Sequence, residues 1–196
     1  MNNKKLTRDD LYSLEQYNEM RDEYRQKVMA HKKNRRVAIG ENASLFFEDG
    51  LTMKYQVQEM LRAEKIFDSE GIQEELDAYN PLIPTGSNWK ATLMLEYGDP
   101  DERAIALGQL LGIDQKTWVQ IEGFDKVYPI TNEDLERETD EKTSSVHFMR
   151  FELSSEMTTA AKEGAAINIG IEHEYYNHAL TPVAANIRDS LAGDLS

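Results

Sequence analysis

Trp89, Ala91, Leu93, Leu95 and Tyr97 alternate with Lys90, Thr92, Met94 and Glu96. This is the period of two required of a strand with one covered face. Asp99-Pro100-Asp101-Glu102 follows at once, with Asp99 placed to cap a helix, proline at its first position and acidic side chains in its first turn; Gly112 stops it. A strand–helix–strand order recurs further on, as Thr143–Leu153, Ser155–Glu163 ended by Gly164, and Ala165–His173. Thr117–Glu122 and Lys126–Ile130 flank Gly123-Phe124-Asp125 as a hairpin, and Thr131 with Asp134 suggests a short helix. Thr181-Pro182 opens a final helix reaching about Ala192.

The N-terminal third is helical in pattern. Leu6-Thr7-Arg8-Asp9-Asp10-Leu11 fits a capping box with a hydrophobic staple, and Ser13 with Gln16 offers a second start. Beyond it Leu14, Tyr17, Met20, Tyr24 and Val28 form one apolar stripe on a helix reaching about residue 33. Arg36–Gly40 and Ser44–Glu48 read as a hairpin, followed by helices over Thr52–Phe67 and Glu70–Ala78. The segment from Tyr79 to Asn88 holds Pro81 and Pro84 and cannot continue the helix, because proline lacks the amide donor. The pattern as a whole predicts one α+β domain over residues 1–196, with an N-terminal helical arm over 1–35 and a sheet-containing body over 36–196. That body is expected to hold a largely antiparallel sheet of roughly six to eight strands with helices packed on it.

Composition narrows the function. The 196 residues carry 22 basic and 36 acidic side chains, a net charge of −14. A field of that sign repels phosphate backbones, which argues against general nucleic-acid binding. The distribution is uneven, with +4 over residues 1–36 and −18 over the rest. The basic run His31-Lys32-Lys33-Asn34-Arg35-Arg36 is either the last turn of a helix, complementing its dipole, or a contact for an acidic partner or an RNA. No cysteine is present, which removes disulfides, thiolate catalysis and cysteine-ligated clusters. The opening residues are positive but lack an apolar segment behind them, no run is apolar enough to span a bilayer, and a cytoplasmic location is expected. Phosphate loops, dinucleotide glycine fingerprints, His-Glu-x-x-His and nucleophile elbows are absent.

Several residues could carry chemistry. His147 shares a strand face with Met149, Phe151 and Leu153, and His173 shares one with Ile167, Ile169 and Ile171. Were the two strands neighbours, the imidazoles would meet, and Glu59 or Glu64 would complete a two-histidine, one-carboxylate site for Fe, Mn or Zn. The bland alternative is that each histidine makes a core hydrogen bond. Glu59 and Glu64 are five apart and do not form Glu-x-x-His, so a di-iron bundle is not indicated. Gln56 and Glu59 share a helix flank, where a part-buried glutamate with a raised pKa would serve as a base. Arg62 and Arg150 either grip a carboxylate or phosphate in a forked pair or neutralise Glu64 and Glu152. Tyr79, Asn80, Leu82 and Ile83 make the proline loop either a docking element or a plug in the core.

Three segments carry a resemblance: Gln56–Glu64, Glu74–Pro84 and Val146–Glu152. In them the chain resembles a bacterial domain-of-unknown-function family, number three-five-zero-one, over nearly its whole length. The family has no established activity, so the resemblance transfers no catalytic residue. It does imply a genomic setting beside rubrerythrin-like and iron–sulfur oxidoreductase proteins. The expectation is an accessory or binding protein for such a redox partner. The alternative is a small metal-dependent enzyme with the two-histidine, one-carboxylate site, acting on a peroxide or small oxidised substrate.

Overall fold

The structure, a computed structural model, describes residues 4–135 and 137–196; Met1, Asn2 and Asn3 of the opening segment lie outside them, as does Glu136. Among the described residues, eight strands form two antiparallel sheets. β1 (Arg36–Ile39), β2 (Ala43–Glu48), β3 (Asn88–Leu95), β5 (Ile130–Thr131) and β6 (Val146–Glu152) make one sheet in the order β1-β2-β3-β6-β5. β4 (Thr117–Ile121), β7 (Ile167–His173) and β8 (Tyr176–Leu180) make the other, in the order β4-β7-β8. The helices are α1 (Leu14–Lys32), α2 (Gly50–Glu64), α3 (Ser69–Tyr79), α4 (Pro100–Gln109), α5 (Ser155–Lys162) and α6 (Ala185–Ala192). The fold is α+β, as the alternation of strand and helix patterns requires.

One continuous buried cluster joins the two sheets. Val37, Leu45, Phe47, Trp89, Leu93 and Phe151 from the first lie in it with Val119, Ile121, Ile167, Ile169 and Ile171 from the second. Each such side chain contributes about 1.5–3 kcal/mol by leaving water. Two smaller clusters bind the helical layer, one around Tyr17, Tyr24, Val28 and Tyr55 and one around Val57, Leu61 and Leu76. The α1 stripe read from the sequence is therefore the face that meets α2. Its start is the Ser13 and Gln16 capping box, with Gln16 N–H donating to Ser13 Oγ and Ser13 N–H to Gln16 Oε1. Thr7 and Asp10 cap only a single helical turn, Arg8–Asp10, ahead of it.

Two local expectations fail and one strand goes unforeseen, each for an identifiable reason. Lys126–Ile130 does not form a full hairpin with β4, since the contact shrinks to one bridge between Val119 and Val127. Ile130 and Thr131 instead pair with Arg150 and Met149 of β6, in the other sheet. Thr131 and Asp134 start no helix, and Asp134 spends its carboxylate on Arg137. β8 has no counterpart in the sequence reading, because only Tyr176 of its five residues is buried and no alternation announces it. Among the described residues no helix is long and apolar enough to cross a membrane.

Of the basic run at residues 31–36, Arg35 is buried, His31 and Lys32 are half-buried, and Lys33, Asn34 and Arg36 are exposed. His31 Nε2 lies 2.6 Å from Asp49 Oδ2, Lys32 sits over the Tyr55 ring, Arg35 is 1% exposed, and Arg36 donates to Ser44 Oγ.

Candidate functional site

The outward face of the five-stranded sheet is charged where β2, β3 and β6 lie side by side. Glu48 stands opposite Lys90, and Lys90 opposite Arg150. Glu48 is nearly buried, and its carboxylate accepts from Thr52 Oγ1 (2.7 Å) and Thr92 Oγ1 (3.0 Å). Burial pushes its pKa up, and the two hydroxyls pull the other way. Lys90 is thereby left without a hydrogen bond or ion pair among the described residues, directly across the ladder from another cation. Like charges so placed cost stability, and the carboxylates of Glu133 and Glu152, which pair with Arg150 and also attract Lys90, offset part of that cost.

A cleft of about 320 Å³ opens over this pair. The end of α3 and the turn after it supply Asp77, Pro81 and Leu82; the sheet supplies Lys90, Phe148 and Arg150; the segment after β5 supplies Glu133 and Asp134. Arg150 donates from Nε (2.9 Å) and Nη2 (2.7 Å) to the two oxygens of Glu133, and from Nη1 to Glu152. The guanidinium holds the Glu133 carboxyl below its usual range. Burial, followed by the Arg150 charge, pulls the Lys90 ammonium below its usual range. The Arg137 guanidinium lies over the Phe148 ring, 4.5 Å from its centre. The result is a fork and a lysine side chain above an apolar floor, with the fork occupied by a glutamate that is 47% exposed.

The residues singled out in the sequence are dispersed. Arg150 and Leu82 line this cleft. Asn80 holds the N-terminal segment through both Leu6 backbone groups, Tyr79 packs against the Val57 cluster, and Ile83 is buried, so most of the proline loop is structural. Gln56 is half-buried, and the buried amide is its neighbour Gln58, which pairs with the Tyr12 backbone. Glu59 accepts from Tyr17 Oη and from both Nε and Nη2 of Arg21, with Arg62 at 3.8 Å. Its carboxyl is pulled down to about 2, chiefly by Arg21, not raised as a general base would need. Glu64 is exposed, and Arg62 is spent on Glu59 and not on Glu64.

The pairing of the two histidine strands does not occur: β6 and β7 belong to different sheets. His147 is fully buried, with Nε2 at 2.9 Å from the Ser144 carbonyl and 3.0 Å from Thr143 Oγ1. Its Nδ1 faces Asp114 Oδ2 at 4.0 Å. His173 donates from Nε2 to the Leu111 carbonyl and accepts at Nδ1 from Tyr175 N–H, so both ring nitrogens are used. Among the described residues, no three His, Asp or Glu side chains are grouped so as to hold a metal ion. Lys90, Glu133 and Asp114 escaped sequence reasoning. Lys90 could have been found as the cation on the polar face of its alternation, whereas Glu133 lies in a segment with no periodicity.

Two pH effects follow. Glu59 is ionised in the fold below the pH at which it protonates when unfolded, so its contribution is complete above about pH 4.5 and lost as pH falls toward about 2. Glu59→Gln should cost about 1–2 kcal/mol at neutral pH in urea unfolding and remove that acid-sensitive part. For His147, burial lowers the pKa from the usual 6.5 against the pull of Asp114. The unfolded chain then takes up the proton first, and stability falls as pH drops below 6.5, with a slope of up to about 1.4 kcal/mol per pH unit. His147→Gln should flatten that slope in unfolding curves taken from pH 7.5 to 5.5.

Comparison with known proteins bears on the fold and the family and adds no activity. A crystal structure of a protein of unknown function from Burkholderia pseudomallei is similar at a TM-score of 0.93 and 48% identity, over 98% of this chain and 100% of that one. No curated protein matches the chain. The family model described as "Protein of unknown function (DUF3501)" matches residues 5–195, and the chain belongs to that family.

Proposed function

We infer that this is a binding protein whose working site is the cleft between the proline turn and the sheet, and that its ligand is a small carboxylate with an apolar tail. One observation carries the reading: the Arg150 fork already holds a carboxylate, that of Glu133, in bidentate geometry. A surface glutamate on a segment without helix or strand is a weak holder, since exposed ion pairs contribute about 0–1 kcal/mol. A ligand carboxylate takes its place on the fork and gains the Lys90 charge as well, while its tail lies on Phe148 and Leu82. An accessory role beside a rubrerythrin-type or iron–sulfur partner is supported by the gene setting that the family resemblance implies.

The test is an NMR titration with isocaproate. Binding is expected to perturb amides of β3 and β6 and to vanish in Arg150→Met. Glu133→Gln should tighten it by about two- to fivefold by removing the internal competitor. Equal affinity in Arg150→Met and the unmodified protein would overturn the reading.

A further inference from the structure

We propose that the cleft takes 2-oxo acids and that Lys90 captures them covalently, as an imine. The proposal rests on the carboxylate-binding reading of the same cleft and deepens it. Three observations converge on Lys90. Its side chain lines the cleft and is only partly exposed. It makes no hydrogen bond or ion pair among the described residues, although Glu48 is its ladder neighbour, because Thr52 and Thr92 hold that carboxylate. It stands directly opposite Arg150, whose fork is built for a carboxylate. A lysine that is desolvated and set beside a second cation is an activated amine. The lowered pKa of Lys90, caused by burial and then by Arg150 against the opposing pull of Glu133 and Glu152, is in keeping with this.

The geometry fits one class of ligand. In a 2-oxo acid the ketone carbon is bonded to the carboxylate, so anchoring the carboxylate on Arg150 brings the ketone to the residue on the adjacent strand. Lys90 Nζ then adds to the ketone carbon, and a proton moves from nitrogen to the former ketone oxygen. Loss of water leaves a carbon–nitrogen double bond, with no oxidant or reductant consumed. Glu133, displaced from the guanidinium by the incoming carboxylate, is the group at hand to carry that proton. Phe148 and Leu82 face the side chain of the acid, which favours an aliphatic tail over a charged one.

The experiment uses the full chain with ketoisocaproate and sodium cyanoborohydride, followed by intact-mass measurement and peptide mapping. The expected product carries the mass of the oxo acid less one oxygen atom, at Lys90. It should be lost in Lys90→Met and in Arg150→Met, and blocked by excess isocaproate. A titration with isocaproate and ketoisocaproate in the absence of reductant is run beside it, with circular dichroism to establish that both variants fold. If both acids bind and no adduct forms at Lys90, the imine is overturned and the carboxylate site stands. If neither acid binds, both readings fall. An adduct spread over surface lysines, or one insensitive to Arg150→Met, also overturns the proposal.

Discussion

Arg35→Met is expected to remove about 3–5 kcal/mol of folding stability, the cost of breaking a buried ion pair by deleting one of its members. Arg35 lies between α1 and β1 and is 1% exposed. Its Nε donates to the Phe47 carbonyl (2.9 Å) and its Nη2 to the Glu48 carbonyl (3.1 Å), while both terminal nitrogens reach the carboxylate of Asp194, itself 1% exposed. Nη1 also donates to the carbonyl and the hydroxyl of Ser190. One guanidinium thus ties the end of β2 to the C-terminal segment after α6. The thioether of methionine fills part of the volume and satisfies none of these acceptors. Urea unfolding measures the loss. A single variant within about 1 kcal/mol of the original protein would contradict the account.

Trp89→Ala should cost a similar amount, about 3–5 kcal/mol, through the loss of a large buried ring. Trp89 is fully buried in β3, packs edge-to-face with Phe47 at 6.3 Å between ring centres, and donates from Nε1 to the Leu191 carbonyl at 2.9 Å. Trp89→Phe separates the two contributions. It keeps much of the ring volume and loses one hydrogen bond to a carbonyl that still accepts from Asp194 N–H, a cost of about 0.5–1.5 kcal/mol. The substitution has a functional reading too, since Lys90 is the next residue of the same strand. A loosened β3 should weaken isocaproate binding in Trp89→Ala beyond what the unfolded fraction explains, with Trp89→Phe closer to the original protein.

The amino-acid sequence by itself determined the local elements whose causes are local. Asp99 and Pro100 set the start of α4, Ser13 and Gln16 that of α1, and the alternation from Trp89 fixed both the existence of β3 and which of its residues face the core. It also marked His147 as inward-facing and Arg150 as either a carboxylate or phosphate holder or the neutraliser of Glu152, with which it does pair. Tertiary structure decided what depends on partners distant in the chain. β6 and β7 look alike in sequence, and nothing in a period of two says whether two strands share a sheet; they do not, and the two histidines take separate partners. The Thr131–Asp134 segment was misjudged because β5 exists only through its ladder to β6, and β8 was invisible because a mostly exposed edge strand needs no apolar alternation. Lys90 read as an ordinary polar-face residue until the register set it against Arg150 and the hydroxyls of Thr52 and Thr92 occupied its natural counter-ion. Charge placement across a sheet is fixed by register, and register is settled by which hydrophobic faces the whole chain manages to bury together.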